Sequence, residues 1–162
     1  MEQRPIEVET DHPCLLGLLT RRLANARADD TAALAVDALE ALLRDGTFDR
    51  CCLPRYKSLA PKRGEREIQI PIASRGGIEI RVLVWPPGAA DGTHPHSNGW
   101  TVFAPVTGQL VAVDEAPGDG TAVGPVRARK AALLRPEDAI KHRLRNAEDD
   151  IAVTVHISGP RY

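Results

Sequence analysis

Two histidines stand one residue apart in the stretch Gly88-Ala-Ala-Asp-Gly-Thr-His94-Pro-His96-Ser-Asn-Gly-Trp100-Thr101. On a β-strand, residues two apart point to the same face, so His94 and His96 can aim both imidazoles at one ion. Neutral imidazole suits iron, nickel, copper or zinc. A solvated loop pair is the alternative. The chain has five histidines, and those after position 90 are His94, His96, His142 and His156. A second chemical candidate is Arg81, which shares a strand face with Leu83 and Trp85. Directed into a pocket, its guanidinium could hold a substrate carboxylate bidentately; on the outer face it would be solvated.

The elements that must position these residues follow from periodicity. Leu15, Leu16, Leu18, Leu19 and Leu23 recur at helical spacing and predict a helix over 13–28. Asp29-Asp30-Thr31 is a helix-capping cluster, and a second amphipathic helix is expected over 32–44, ended by Asp45-Gly46. Residues 47–65 read as irregular. The period then changes to two. Strands are expected at 66–72, at 78–85 (Ile78, Ile80, Val82 and Val84 on one face), on through 100–103, and at 109–113. Gly118-Asp-Gly120 reads as a loop. Further strand signals lie within 123–133, at 140–144 and at 151–157. Short strands at this spacing suggest a sandwich or barrel, and the helices serve to pack on a sheet.

Composition narrows the partners. A length of 162 residues and a formal net charge of −1 fit one domain and give no reason to expect nucleic acid or an anionic membrane. No apolar run approaches the ~20 residues of a membrane span. The polar, acidic N-terminus does not read as a signal peptide. Cys14, Cys51 and Cys52, an odd number with an adjacent pair, do not read as a disulfide framework and point to a reducing cytoplasm. Arg127-Ala-Arg-Lys130 reads as a solvated basic face.

The spacing around the histidines resembles the two sequence segments of the cupins. The first is G-x5-H-x-H-x3,4-E-x6-G. Here Gly88, His94, His96 and Gly108 fit, while Thr101 stands at the glutamate position. The second is P-x-G-x2-H-x3-N. Here Pro136, His142 and Asn146 match with one extra residue, and Asp138 replaces the glycine. The resemblance covers about 66–158. It implies a mainly β fold, a cupin-type double-stranded β-helix (jelly-roll) barrel with two N-terminal α-helices. The expected organisation is a single domain over 1–162, with a helical segment at 1–47 and the barrel at 66–158. It also implies a metal held by His94, His96 and His142, three neutral imidazoles without the usual carboxylate.

Within the cupins, the chain is similar to the thiol dioxygenases, the cysteine and mercaptopropionate dioxygenase group. Val84-Trp85-x2-Gly88 resembles that family's tryptophan-bearing strand before the His-x-His. Ala152-Val-Thr154-Val-His156-Ile-Ser158 resembles the strand that carries its Ser-His-Tyr relay. The resemblance implies Fe(II), with nickel or zinc as alternatives, and oxidation of a small thiol to a sulfinate by O₂. It gives His156 and Thr154 catalytic roles. Trp85, Arg81 and Arg66 are the substrate-binding candidates. Two departures stand out: Ser158 occupies the relay tyrosine's position, and the registers nearest the family's tyrosine and carboxylate-binding arginine hold Arg66 and Ile68. The expected protein is therefore a cytoplasmic Fe(II) oxygenase, monomer or homodimer, with a small thiol and O₂ as partners. A non-catalytic metal- or ligand-binding cupin and a zinc or nickel hydrolase or isomerase remain alternatives.

Overall fold

The computed structural model describes residues 31–75, 78–90, 99–116, 119–126, 131–134 and 142–159. Helix α1, Thr31–Asp45, forms where the sequence predicts it. Its buried residues Ala35, Ala38, Leu39, Leu42 and Leu43 recur every three or four positions and make one apolar stripe. Gly46, at φ 73°, ends it in the left-handed conformation that glycine adopts without steric cost. The expected helix over 13–28 lies outside the described residues.

The segment after Gly46 corrects the expectation of irregular chain. It folds into two short helices, α2, Thr47–Cys51, and α3, Leu53–Ser58, with Pro54 in its first turn. A proline there presets φ for the helix and forfeits only an N–H that has no intrahelical partner. Both helices are too short to stand alone. They are held by burial of Phe48, Cys52 and Tyr56, the two aromatic rings stacking with centroids 5.8 Å apart.

Among the described residues eight strands follow: β1 (Ile68–Arg75), β2 (Ile78–Trp85), β3 (Thr101–Thr107), β4 (Leu110–Ala116), β5 (Asp119–Val126), β6 (Ala132–Leu134), β7 (His142–Asn146) and β8 (Ala152–Ser158). They form a five-stranded sheet in the order β1-β2-β8-β3-β6 and a three-stranded sheet in the order β5-β4-β7. Every pairing is antiparallel. The expected loop at Gly118-Asp-Gly120 is in part strand, because Asp119 and Gly120 pair with Ala116 and Glu115 of β4. Pairing across a hairpin here overrides the weak strand preference of glycine and aspartate.

The alternation of side chains on the large sheet separates two cores. Val82 and Val84, Val102 and Ala104, Val153, Val155 and Ile157 face one way and pack with the helical residues. Leu83, Trp85, Phe103 and Ala152 face the other way and meet Leu110 and Leu144 of the small sheet. The large sheet is thus the middle layer, covered by helices outside and by the small sheet inside. Strand β8, at its centre, is buried along nearly its whole length, and each aliphatic side chain so covered stabilises the fold by about 1.5–3 kcal/mol relative to exposure. No helix among the described residues is long and apolar enough to cross a membrane.

Candidate functional site

The inward face of the large sheet carries a short polar chain inside an apolar lining. Trp85 and Thr154 are fully buried and His156 is 8% exposed. The indole Nε1 of Trp85 donates to Thr154 Oγ1 at 2.9 Å, and Thr154 Oγ1 lies 2.8 Å from His156 Nε2. An indole N–H can only donate, so the Thr154 oxygen accepts from it, and its second lone pair or its own proton meets the imidazole. Phe103 stacks on the imidazole, with centroids 5.3 Å apart and planes 15° from parallel. The ring is therefore fixed by a hydrogen bond in its plane and an aromatic face across it.

Strand register explains why these residues meet. Arg81, His156 and Phe103 are directly opposite one another on β2, β8 and β3, and Leu83 is opposite Thr154 one step away. Adjacent residues of one row have Cβ atoms about 4.5–5.5 Å apart. Arg81 thus shares the inward face with His156, as its spacing to Leu83 and Trp85 requires. Its Nη1 donates to Gln69 Oε1 at 3.0 Å. Its Nε is buried and has no acceptor among the described residues. At the end of the face, Thr101 Oγ1 and Ser158 Oγ lie 3.3 Å apart. The hydroxyl at the missing-glutamate position is thus engaged with the residue at the relay-tyrosine position.

Among the metal candidates, His142 opens β7, with its backbone in register with Asp114 of β4. His94 and His96 lie outside the described residues. Ala90, four positions before His94, bridges Arg145 in the antiparallel sense, so the chain leaves the described structure beside the strand that carries His142. No group of three or more histidine, cysteine or acidic residues among the described residues could hold a metal ion. Arg66 is exposed and precedes β1; the structure does not bring it to the His156 cluster.

Asn146, matched in the sequence only as the last residue of a motif, holds this region together. It is fully buried. Its Nδ2 donates to the carbonyls of Trp85 at 3.1 Å, Pro86 at 3.3 Å and Asp150 at 2.8 Å, and its Oδ1 accepts from Glu148 N at 3.2 Å. Its backbone N–H donates to Ala89 O at 2.8 Å and its carbonyl accepts from Gly88 N at 3.0 Å. Gly88 has φ 81°, which a side chain would strain. One asparagine thus clamps the turn leading to His94 onto the strand that begins at His142.

No family model and no curated protein sequence matches the chain. Solved structures do. An uncharacterised protein with a double-stranded β-helix domain from Klebsiella pneumoniae superposes with a TM-score of 0.53 at 16% identity, over 65% of this chain and 86% of its own. The protein TT1209 of Thermus thermophilus gives 0.52 at 21%, over 65% and 94%. A cupin domain from Bordetella pertussis gives 0.50 at 22%, over 63% of this chain and all of its own. At these identities the likeness is one of fold. The chain has the cupin-type barrel, a double-stranded β-helix.

Proposed function

We propose that this cupin is a metal-dependent dioxygenase that oxidises a small thiol to a sulfinate with O₂, using non-haem Fe(II) held by His94, His96 and His142. The observation that carries the reading is the buried Trp85–Thr154–His156 chain with Arg81 in the next position of the same row. A barrel needed only for stability would fill these positions with apolar side chains, since each buried polar group costs about 1–3 kcal/mol unless it is bonded.

Fe(II), when bound, would supply the electron chemistry by which a thiolate and O₂ combine as RS⁻ + O₂ → RSO₂⁻, with no external reductant. The chain's own residues do the rest. Arg81 offers its Nε to an anionic group of the substrate, with Gln69 steadying Nη1. Thr154 holds the His156 ring by its Nε2, so that the imidazole carries or offers a proton at a fixed place. Trp85, Leu83 and Phe103 exclude water. The Thr101–Ser158 contact favours a second reading, a non-catalytic ligand-binding cupin, because it occupies the hydroxyl at the relay's end.

Protein prepared anaerobically, assayed for metal and then supplied with a panel of small thiols tests the proposal. Bound iron, thiol-dependent O₂ uptake and a sulfinate of mass +32 are expected, with uptake abolished in His142→Ala. Metal-free protein as isolated that also fails to take up added Fe(II), or full activity in His142→Ala, would refute it. Metal binding without O₂ uptake on any thiol would establish the second reading.

A further inference from the structure

Arg81 stands on the inward face as a cation without a counterion, and we propose that the open edge of its guanidinium, carrying Nε and Nη2, binds a small planar monocarboxylate with a short apolar stem. The site itself needs no metal; that the carboxylate belongs to a substrate rests on the reading above. Arginine is charged at every pH a cell reaches. Arg81 is half-buried, in one row with His156 and Phe103. No carboxylate among the described residues pairs with it; the ion pair they contain joins Arg63 to Asp149 at the surface. Glu79, two positions before it on the same strand face, is exposed and makes no ion pair with it. A charge held against an apolar lining without a partner is costly, and an anionic ligand removes that cost.

The hydrogen bonds of Arg81 say which anion. Its Nη1 is committed to Gln69 Oε1 at 3.0 Å. Gln69 lies diagonally across the hairpin, opposite Leu83, while Arg81 itself faces Pro71. That bond fixes the plane of the guanidinium and leaves its other edge to a ligand. On that edge Nε is buried and has no acceptor among the described residues, and Nη2 makes no bond to them. Nε–H and Nη2–H point the same way in one plane. The two oxygens of a carboxylate meet both at once, whereas an amide offers one oxygen and a phosphate is tetrahedral. Leu83 and Phe103, both buried in the inward core, flank the site with apolar surface. They admit a short hydrocarbon stem and offer no partner to a second charge.

Binding tests this without metal and without any assay of activity. Full-length ¹⁵N-labelled protein is stripped with a chelator and titrated with propionate, and the arginine Nε–H signals are followed by NMR. The signal of Arg81 is identified by its loss in Arg81→Lys. It is expected to shift saturably with propionate. Propionamide and inorganic phosphate are expected to bind about tenfold more weakly, and so is propionate to Arg81→Lys, which keeps the charge and loses the fork. Gln69→Leu frees Nη1 and should weaken propionate about threefold, because the fork is no longer held in place. An Arg81 Nε–H signal that stays put in wild-type protein would overturn the inference, as would equal affinity for propionate and propionamide. Saturable propionate binding by protein that takes up no O₂ with any thiol would uphold the site and remove the dioxygenase reading.

Discussion

Replacing Thr154 by valine exchanges one hydroxyl for a methyl in nearly the same volume, and so asks how much the buried polar chain contributes. Trp85 Nε1 loses its acceptor at 2.9 Å and His156 Nε2 loses its contact with Thr154 at 2.8 Å. Thr154 and Trp85 are fully buried, so water cannot replace the hydroxyl without opening the sheet. The stranded indole N–H costs about 1–3 kcal/mol and the lost Thr154–His156 bond about 1 kcal/mol more, against roughly 1 kcal/mol returned by the extra buried methyl. The expected net loss is about 1–3 kcal/mol, against a typical stability of about 5–15 kcal/mol. Thr154→Ser keeps the hydroxyl and deletes a methyl, and should lose only about 1 kcal/mol. Urea unfolding followed by tryptophan fluorescence measures both, since Trp85 and Trp100 are the only tryptophans. In a Trp85→Phe background the valine substitution should cost less, because the indole N–H that it strands is already gone. Equal losses for valine and serine would refute the hydrogen-bond account, as would a valine variant as stable as wild type.

Two further outcomes follow from described contacts. Asn146→Asp keeps the shape but removes the Nδ2 donor to the Trp85, Pro86 and Asp150 carbonyls and sets a buried carboxylate against them; a loss of about 3–5 kcal/mol is expected by urea denaturation, and metal affinity should fall with it. Burial, then the neighbouring Cys52, pushes the Tyr56 phenol well above its usual range. Above about pH 10 the unfolded chain releases that proton while the folded chain holds it, so stability falls as pH rises. Tyr56→Phe should flatten that fall between about pH 9 and 11 in urea midpoints, and an unchanged slope would remove Tyr56 as its source.

Strands β2 and β8 were legible because each alternates cleanly and is long enough for a period of two to show. The same alternation put Arg81 on one face with Leu83 and Trp85, and left open whether that face points inward. The short helices α2 and α3 were not legible. By sequence Pro54 marks an irregular segment, and what orders it is the stacking of Phe48 on Tyr56, a contact made only in the folded state. Asn146 was visible as a spacing, but its bonds run to Trp85 and Pro86, some 60 residues away, and no local pattern announces such a partner.

The position of β8 has a consequence for how the chain reaches this state. Strands β2 and β3 follow one another in sequence but are separated in space, with β8 between them. The β1–β2 hairpin can form early from local chain, whereas the wide sheet must wait for a strand roughly 70 residues downstream of β2. Pairing over such a separation makes folding slow, since loop closure precedes the contacts that reward it. Until β8 arrives, the inner edges of β2 and β3 stand open, offering unpaired N–H and C=O groups to any other strand. A nascent or truncated chain that ends before Ala152 therefore presents two adhesive edges, and its hazard is aggregation.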